Sequence, residues 1–168
     1  MQFDNLAAKS LRKACLDLIP EPEPHEPCDS QEYRFAAIIG FSGDHVRGTL
    51  GLTTTTGGLR RVSKYLGAED CPSGAEDSLG ELSNQLLGHM KRSFTAHGVL
   101  ITMATPLVVR GSTIEICGRT QGRWFEEVSA KDNDQVTVWF DAHVDENISI
   151  SAEAIECGMA NQGDAILF

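Results

Sequence analysis

The sequence lacks any uninterrupted apolar segment close to the roughly 18 residues that a membrane-spanning helix requires. Residues 1–5 contain no basic cluster leading into an apolar segment, so no signal peptide is expected. Positive charge is scarce, with 14 Lys and Arg against 24 Asp and Glu and a formal net charge of -10. Such a chain lacks the basic surface that binds a phosphate backbone, and an anionic membrane would repel it. These absences predict a cytoplasmic protein with neither nucleic acid nor membrane as a partner.

Paired cysteines and metal-binding motifs are also missing. The five cysteines are odd in number, widely spread and never in a CxxC pair; they are Cys15, Cys28, Cys71, Cys117 and Cys157. There is no HExxH motif and no His, Asp and Glu cluster at metal-ligand spacing. A disulfide framework is therefore not expected, and a reducing compartment fits best. The sequence predicts no metal or cofactor of its own.

The length of 168 residues suits a single domain. We interpret residues 1–30 as an N-terminal helix and a proline-rich linker, 31–145 as the core and 146–168 as a C-terminal tail. Apolar residues at three- and four-residue steps predict a helix over 3–19. Two apolar segments, 33–41 and 46–55, flank turn residues and predict a β-hairpin.

Two further helices and a series of strands follow the hairpin. A short helix is expected over 59–66, and a long one should run from an N-cap at Ser73, with Glu76 completing a capping box, to about His97. Strand-like segments follow at 99–104, 107–110, 113–119, 123–130 and 135–144. Residues 131–134 form a predicted turn, and 152–157 could form one or two helical turns. Helices segregated from strands predict an α+β fold, an antiparallel β-sheet with hairpins packed against two main helices plus the N-terminal helix.

The long helix divides into two faces. A stripe predicted to be buried against the sheet contains Leu79, Leu82, Leu86, Met90 and Phe94. The opposite, solvent-facing strip contains Asp77, Glu81, Asn84 and Gly88. Asn and Gly are poor residues for a helix interior, and Gly80 adds a second glycine beside Glu81. Their presence indicates that something outweighs helix stability here. Close approach of a partner's backbone is one explanation, and tight packing of another helix or a dimer mate is the other.

The pattern Asp77-x-x-x-Glu81-x-x-Asn84 resembles the active-site signature of the CheC/CheX/FliY phosphatases of bacterial chemotaxis. The resemblance continues into residues 101–111, where Pro106 follows after a gap comparable to that of the family. The order of predicted elements from residue 3 to about 144 also resembles CheX. The short helix over 59–66 contains neither Glu nor Asn, so a single site is expected, as in CheX rather than CheC.

The resemblance implies a phosphatase that acts on the aspartyl phosphate of a CheY-like response-regulator receiver domain in two-component signalling. Asn84 would orient the attacking water, and Glu81 would pair with the receiver's lysine. Asp77 and Gly88 are assigned supporting roles. The receiver would supply Mg²⁺, and the protein would form a homodimer. One alternative is a non-catalytic adaptor that binds a receiver or a motor-switch protein through the same helix face. Another is a structural dimerisation domain, for which replacing Glu81 or Asn84 by Ala would alter only stability.

Overall fold

The computed structural model of this protein describes residues 2–19, 21, 33–67, 72–116, 123–129 and 135–151. Within these residues the chain forms three helices, α1 (Phe3–Leu18), α2 (Thr56–Tyr65) and α3 (Pro72–Ala96). The same described residues form six strands, β1 (Arg34–Ser42), β2 (Val46–Thr55), β3 (Thr102–Met103), β4 (Leu107–Gly111), β5 (Arg123–Ser129) and β6 (Val136–Val144). The predicted α+β class is confirmed. The proline-rich linker apart from Glu21, the turn at 131–134 and the segment 152–157 lie outside the described residues.

The strands form one antiparallel sheet in the order β3-β1-β2-β6-β5, with β4 also paired to β1. β1 and β2 form the predicted hairpin, whose register pairs Ser42 with Arg47 at its closed end. Both β3 and β4 pair with β1, the first near its end and the second along its first half. This arrangement gives β1 and β2 the central position and leaves β5 at one edge.

One face of the sheet packs against the helices. Along β1 the alternate residues belong to the core shared with them; these are Phe35, Ala37, Ile39 and Phe41. The predicted stripe of α3 is fully buried, since Leu79, Leu82, Leu86, Met90 and Phe94 all have no exposed surface. Apolar residues recur at every second position along a strand and about every 3.6 positions along a helix. The strands and helices therefore pack against each other through their apolar faces. The opposite face of α3 is left at the surface.

The first residues of α2 and α3 differ from those predicted from the sequence. α2 begins at Thr56, three residues earlier than predicted, because the hydroxyl oxygen of Thr55 accepts a hydrogen bond from the backbone N–H of Gly58 at 3.2 Å. Gly67, with φ of 69°, ends this helix as the sequence predicted. α3 begins at Pro72, so Ser73 lies inside its first turn and the predicted N-cap is wrong.

The strand predictions after α3 were partly wrong. Residues 99–104 yield only the two-residue strand β3, although Val99 and Ile101 are buried in the core. Residues 113–116 are not in a strand, which contradicts that part of the predicted segment 113–119. The first error arises because an apolar pattern reports burial and not ladder hydrogen bonds.

Candidate functional site

The predicted site residues lie together on the exposed strip of α3. Asp77 and Glu81 are exposed, while Asn84 and Gly88 are half-buried. Neither Glu81 nor Asn84 points into the hydrophobic interior. Three residues of helix separate them, which corresponds to a rise of about 4.5 Å, so both side chains can reach one partner surface. The structure thus brings the proposed carboxylate and amide together on a rigid element.

The side chain of Asn84 has no hydrogen-bond partner among the residues that the structure describes. A primary amide carries two donor hydrogens and an acceptor oxygen, and its backbone here is already bonded within the helix. The donors and the acceptor of the Asn84 side chain are therefore available to a water molecule or to a partner protein.

Glu81 is held by a neighbour on its own helix. The side-chain amide of Gln85 donates a hydrogen bond to Oε1 of Glu81 at 3.0 Å. Residues four apart lie on the same face of a helix, and this spacing favours such a contact. The hydrogen bond restricts the Glu81 rotamer and leaves Oε2 available. Sequence analysis did not identify Gln85, although its i+4 spacing from Glu81 was visible in the sequence.

The exposed strip forms one side of an open groove of about 370 Å³ between α3 and the end of α1. The groove is lined by Leu18, Glu81, Asn84, Gln85, Gly88 and Arg92. Asp77 lies outside it, one turn before Glu81. Sequence analysis did not identify Leu18 or Arg92 as site residues. Leu18 could not have been found, because its position beside the strip depends on how α1 packs.

Polar contacts fix α1 against α3 beside this groove. His89 Nε2 donates to Asp17 Oδ2 at 3.0 Å, and Lys13 Nζ lies 3.7 Å from the same oxygen. Further along, the Ser10 hydroxyl lies 2.7 Å from the Ser93 hydroxyl. His89 and Asp17 are the sequence neighbours of Gly88 and Leu18. The wall of the groove is therefore positioned by a contact directly beside it.

Gly80 and Gly88, two of the three glycines of α3, have different surroundings. A methyl group added at Gly80 would lie 3.5 Å from Val108 and 3.7 Å from Pro106, which is ordinary van der Waals contact. A methyl group added at Gly88 would meet nothing within 4 Å. A methyl group would therefore fit at position 80, and packing does not account for the glycine there. Nothing in the described part of the chain requires a glycine at position 88.

The first half of α3 is also fixed to β4. Glu76 Oε1 accepts a hydrogen bond from Arg110 at 3.1 Å, and the Arg110 guanidinium lies 5.7 Å from the ring centroid of Tyr33. Glu76 therefore joins α3 to the sheet and does not act in a capping box. This interaction holds the first half of α3 against the sheet, which favours a preorganised site.

The described residues contain neither a cluster that could bind a metal ion nor a helix that could span a membrane. No group of three or more His, Cys, Asp or Glu there could hold a metal ion. No helix in the described part of the chain is long and apolar enough to cross a membrane. Cys15 is buried in α1 and belongs to no disulfide among the described residues, and the other four cysteines lie outside those residues.

Comparison with solved structures assigns the class of this fold. The chemotaxis protein CheX from Vibrio vulnificus is similar at 22% identity and a TM-score of 0.63, covering 85% of this chain and 97% of that one. CheX from Desulfovibrio desulfuricans is similar at 18% identity, with a TM-score of 0.63 and coverage of 85% and 100%. The fold is therefore that of the CheX/CheC-like chemotaxis proteins.

The particular family follows from the sequence match. The model of the family described as chemotaxis phosphatase CheX matches residues 35–126, and the chain belongs to this family. No significantly similar sequence was found among the curated proteins. Another similar structure is the CheX–CheY–BeF3–Mg²⁺ complex from Borrelia burgdorferi, at 12% identity and a TM-score of 0.60, covering 84% of this chain and 98% of that one.

Proposed function

We propose that this protein is a phosphatase for the aspartyl phosphate of a CheY-like receiver domain, with Asn84 and Glu81 as its site. The observation that carries the proposal is the Asn84 amide, which is exposed to the groove and unpaired among the described residues. The family match and the complex of a similar protein with CheY support a receiver as the partner. Mg²⁺ in that complex supports a metal that arrives with the receiver.

The reaction would be hydrolysis of an acyl phosphate. Water attacks phosphorus, the bond between phosphorus and the receiver's aspartate oxygen breaks, and inorganic phosphate and a free carboxylate are released. Phosphoryl transfer of this kind depends mainly on positioning and electrostatic stabilisation, and a carboxylate leaving group needs no strong base. Asn84 would accept from and donate to the water, and so hold it in line with the leaving oxygen.

Glu81 would fix the register between the two proteins. Its free carboxylate oxygen can pair with a cation, which in a receiver would be the lysine of the phosphorylation site. Gln85 holds the other oxygen, so the carboxylate loses little rotamer freedom when it binds. Asp77 lies one turn earlier on the exposed strip, and it would have a supporting role at the edge of the interface with the receiver. A homodimer is part of the same proposal.

The proposal is tested by measuring how fast a phosphorylated receiver loses its phosphoryl group in the presence of this protein. CheY-like receivers are loaded with acetyl phosphate, the protein is added, and inorganic phosphate release is followed. We expect Glu81→Ala to raise the KM for the phosphorylated receiver by up to about fivefold and to lower kcat less, because its main effect is on orientation. The matched control is Glu126→Ala, an exposed carboxylate on β5.

Receiver binding without accelerated phosphate release would contradict the phosphatase and favour the adaptor. Equal kinetics for Glu81→Ala and Glu126→Ala would remove Glu81 from the site.

Gly88 and Gly80 provide a paired test of the exposed strip. Gly→Ala inside a helix stabilises by up to about 1 kcal/mol, and both positions have room for the methyl group. We expect both variants to have a higher free energy of unfolding in urea. We expect only Gly88→Ala to lower kcat/KM for the phosphorylated receiver, by about tenfold, because its methyl group would occupy the groove. Unchanged kinetics for Gly88→Ala would exclude close approach of the receiver at this residue.

A further inference from the structure

Arg92 is the cation of the groove, and nothing within the described chain neutralises it. It is exposed, and it has no ion pair among the residues that the structure describes. The nearby carboxylate of Asp17 already contacts His89 and Lys13, and that of Glu81 accepts from Gln85. In a chain with a net charge of -10, an unpaired arginine beside acidic residues requires an explanation.

Helix stability does not explain it. The positions three and four residues away are His89, Gly88, Thr95 and Ala96, so Arg92 has no carboxylate at helical spacing. The last turn of α3 contains no basic residue, which places Arg92 before the region where a cation best compensates the helix dipole. Its side chain lines the groove instead of a carbonyl-rich helix end.

The groove therefore has two ends of opposite charge. Glu81 lies at one end, Asn84 and Gly88 lie between, and Arg92 lies at the other with Leu18 as the wall contributed by α1. Eleven residues of helix separate Glu81 from Arg92, a rise of about 16 Å. Opposite charges at the two ends of a docking surface favour one orientation of a partner and disfavour the reverse, because the reversed partner meets like charges.

We propose that Arg92 is a specificity residue for the receiver, pairing with a carboxylate on the receiver surface at the Leu18 end of the groove. This inference rests on the proposed function for the identity of the partner. The receiver carboxylate would lie roughly 12 Å, measured along α3, from the point where Asn84 meets the phosphoryl group. Arg92 is a docking residue and takes no part in the attack on phosphorus. Receivers without a carboxylate there would be poorer partners.

The test separates binding from chemistry. Purified CheY-like receivers carrying beryllofluoride and Mg²⁺, a non-hydrolysable substitute for the phosphoryl group, are titrated with the wild-type protein, Arg92→Ala, Arg92→Lys and Arg92→Glu. The matched control is Arg12→Glu, the same charge change at an exposed position of α1 that does not line the groove. The same variants are assayed for phosphate release from receivers loaded with acetyl phosphate.

We expect Kd to rise about threefold for Arg92→Ala and about tenfold or more for Arg92→Glu, with Arg92→Lys close to wild type. The Kd of Arg92→Ala should depend less on ionic strength than that of wild type, and kcat at saturating receiver should not change. Arg12→Glu should bind as wild type does. Wild-type Kd for Arg92→Glu would overturn this inference alone. If no receiver bound the wild-type protein, both the role of Arg92 and the proposed function would be overturned. Binding of a receiver without phosphate release would overturn only the proposed phosphatase activity.

Discussion

Replacement of Asn84 by Ala is expected to lower kcat for release of inorganic phosphate from a phosphorylated receiver by about 100-fold or more. Loss of one positioned water corresponds to several kcal/mol of activation free energy, and each 1.36 kcal/mol is about tenfold in rate. The Kd for a receiver carrying beryllofluoride should remain within about twofold, because the docking contacts of Glu81 and Arg92 are retained. The measurement is single-turnover phosphate release alongside a binding titration.

The same substitution should not harm the fold. Asn has lower helix propensity than Ala, and Asn84 makes no hydrogen bond within the described chain, so Asn84→Ala should unfold at equal or slightly higher urea concentration. Asn5→Ala is the matched control, an exposed helical asparagine in α1 far from the groove. A variant that is stable, binds the receiver and fails to turn over would identify a positioning role for the amide. Turnover at the wild-type rate would remove Asn84 from the mechanism.

The exposed strip could be predicted from sequence because a single helix positions it. Glu81, Asn84 and Gly88 share a face by helical geometry alone, and the buried stripe on the other side fixed which face meets water. Gln85 follows from the same geometry. For these residues the local period of α3 is sufficient, and no knowledge of the sheet is needed.

The groove could not be predicted in the same way. Leu18 and Arg92 are separated by 73 intervening residues and meet only because α1 packs on α3. The apolar face of α1 is buried in the core, but its pattern does not say which element it meets, and it does not reveal the polar contacts of His89 with Asp17 and of Ser10 with Ser93. The strand error over 99–104 has a related origin. Val99 and Ile101 are buried beside the sheet without belonging to a ladder, so their burial was predicted and their structure was not.

Replacement of Phe94 by Ala is expected to lower the free energy of unfolding by about 3–5 kcal/mol, a large fraction of the 5–15 kcal/mol typical of a domain. Phe94 is fully buried where α1, α3 and β6 meet. Its ring centroid lies 5.6 Å from that of Phe3 and 5.9 Å from that of Phe140, the latter in an edge-to-face arrangement. Removing the ring leaves a cavity and deletes both aromatic contacts.

Replacing Phe94 should also affect the groove, because Phe94 helps to hold α1 in place. Leu18 forms the groove wall only while α1 stays packed, and Phe3 anchors the first turn of that helix on Phe94. Urea denaturation should therefore show a much lower midpoint for Phe94→Ala. The control is Leu16→Ala, which truncates a side chain that is 76% exposed, and its free energy of unfolding should stay within about 0.5 kcal/mol of wild type. Equal midpoints for the two variants would mean that this aromatic cluster does not join α1 to the core, and the wall of the groove would then need another support.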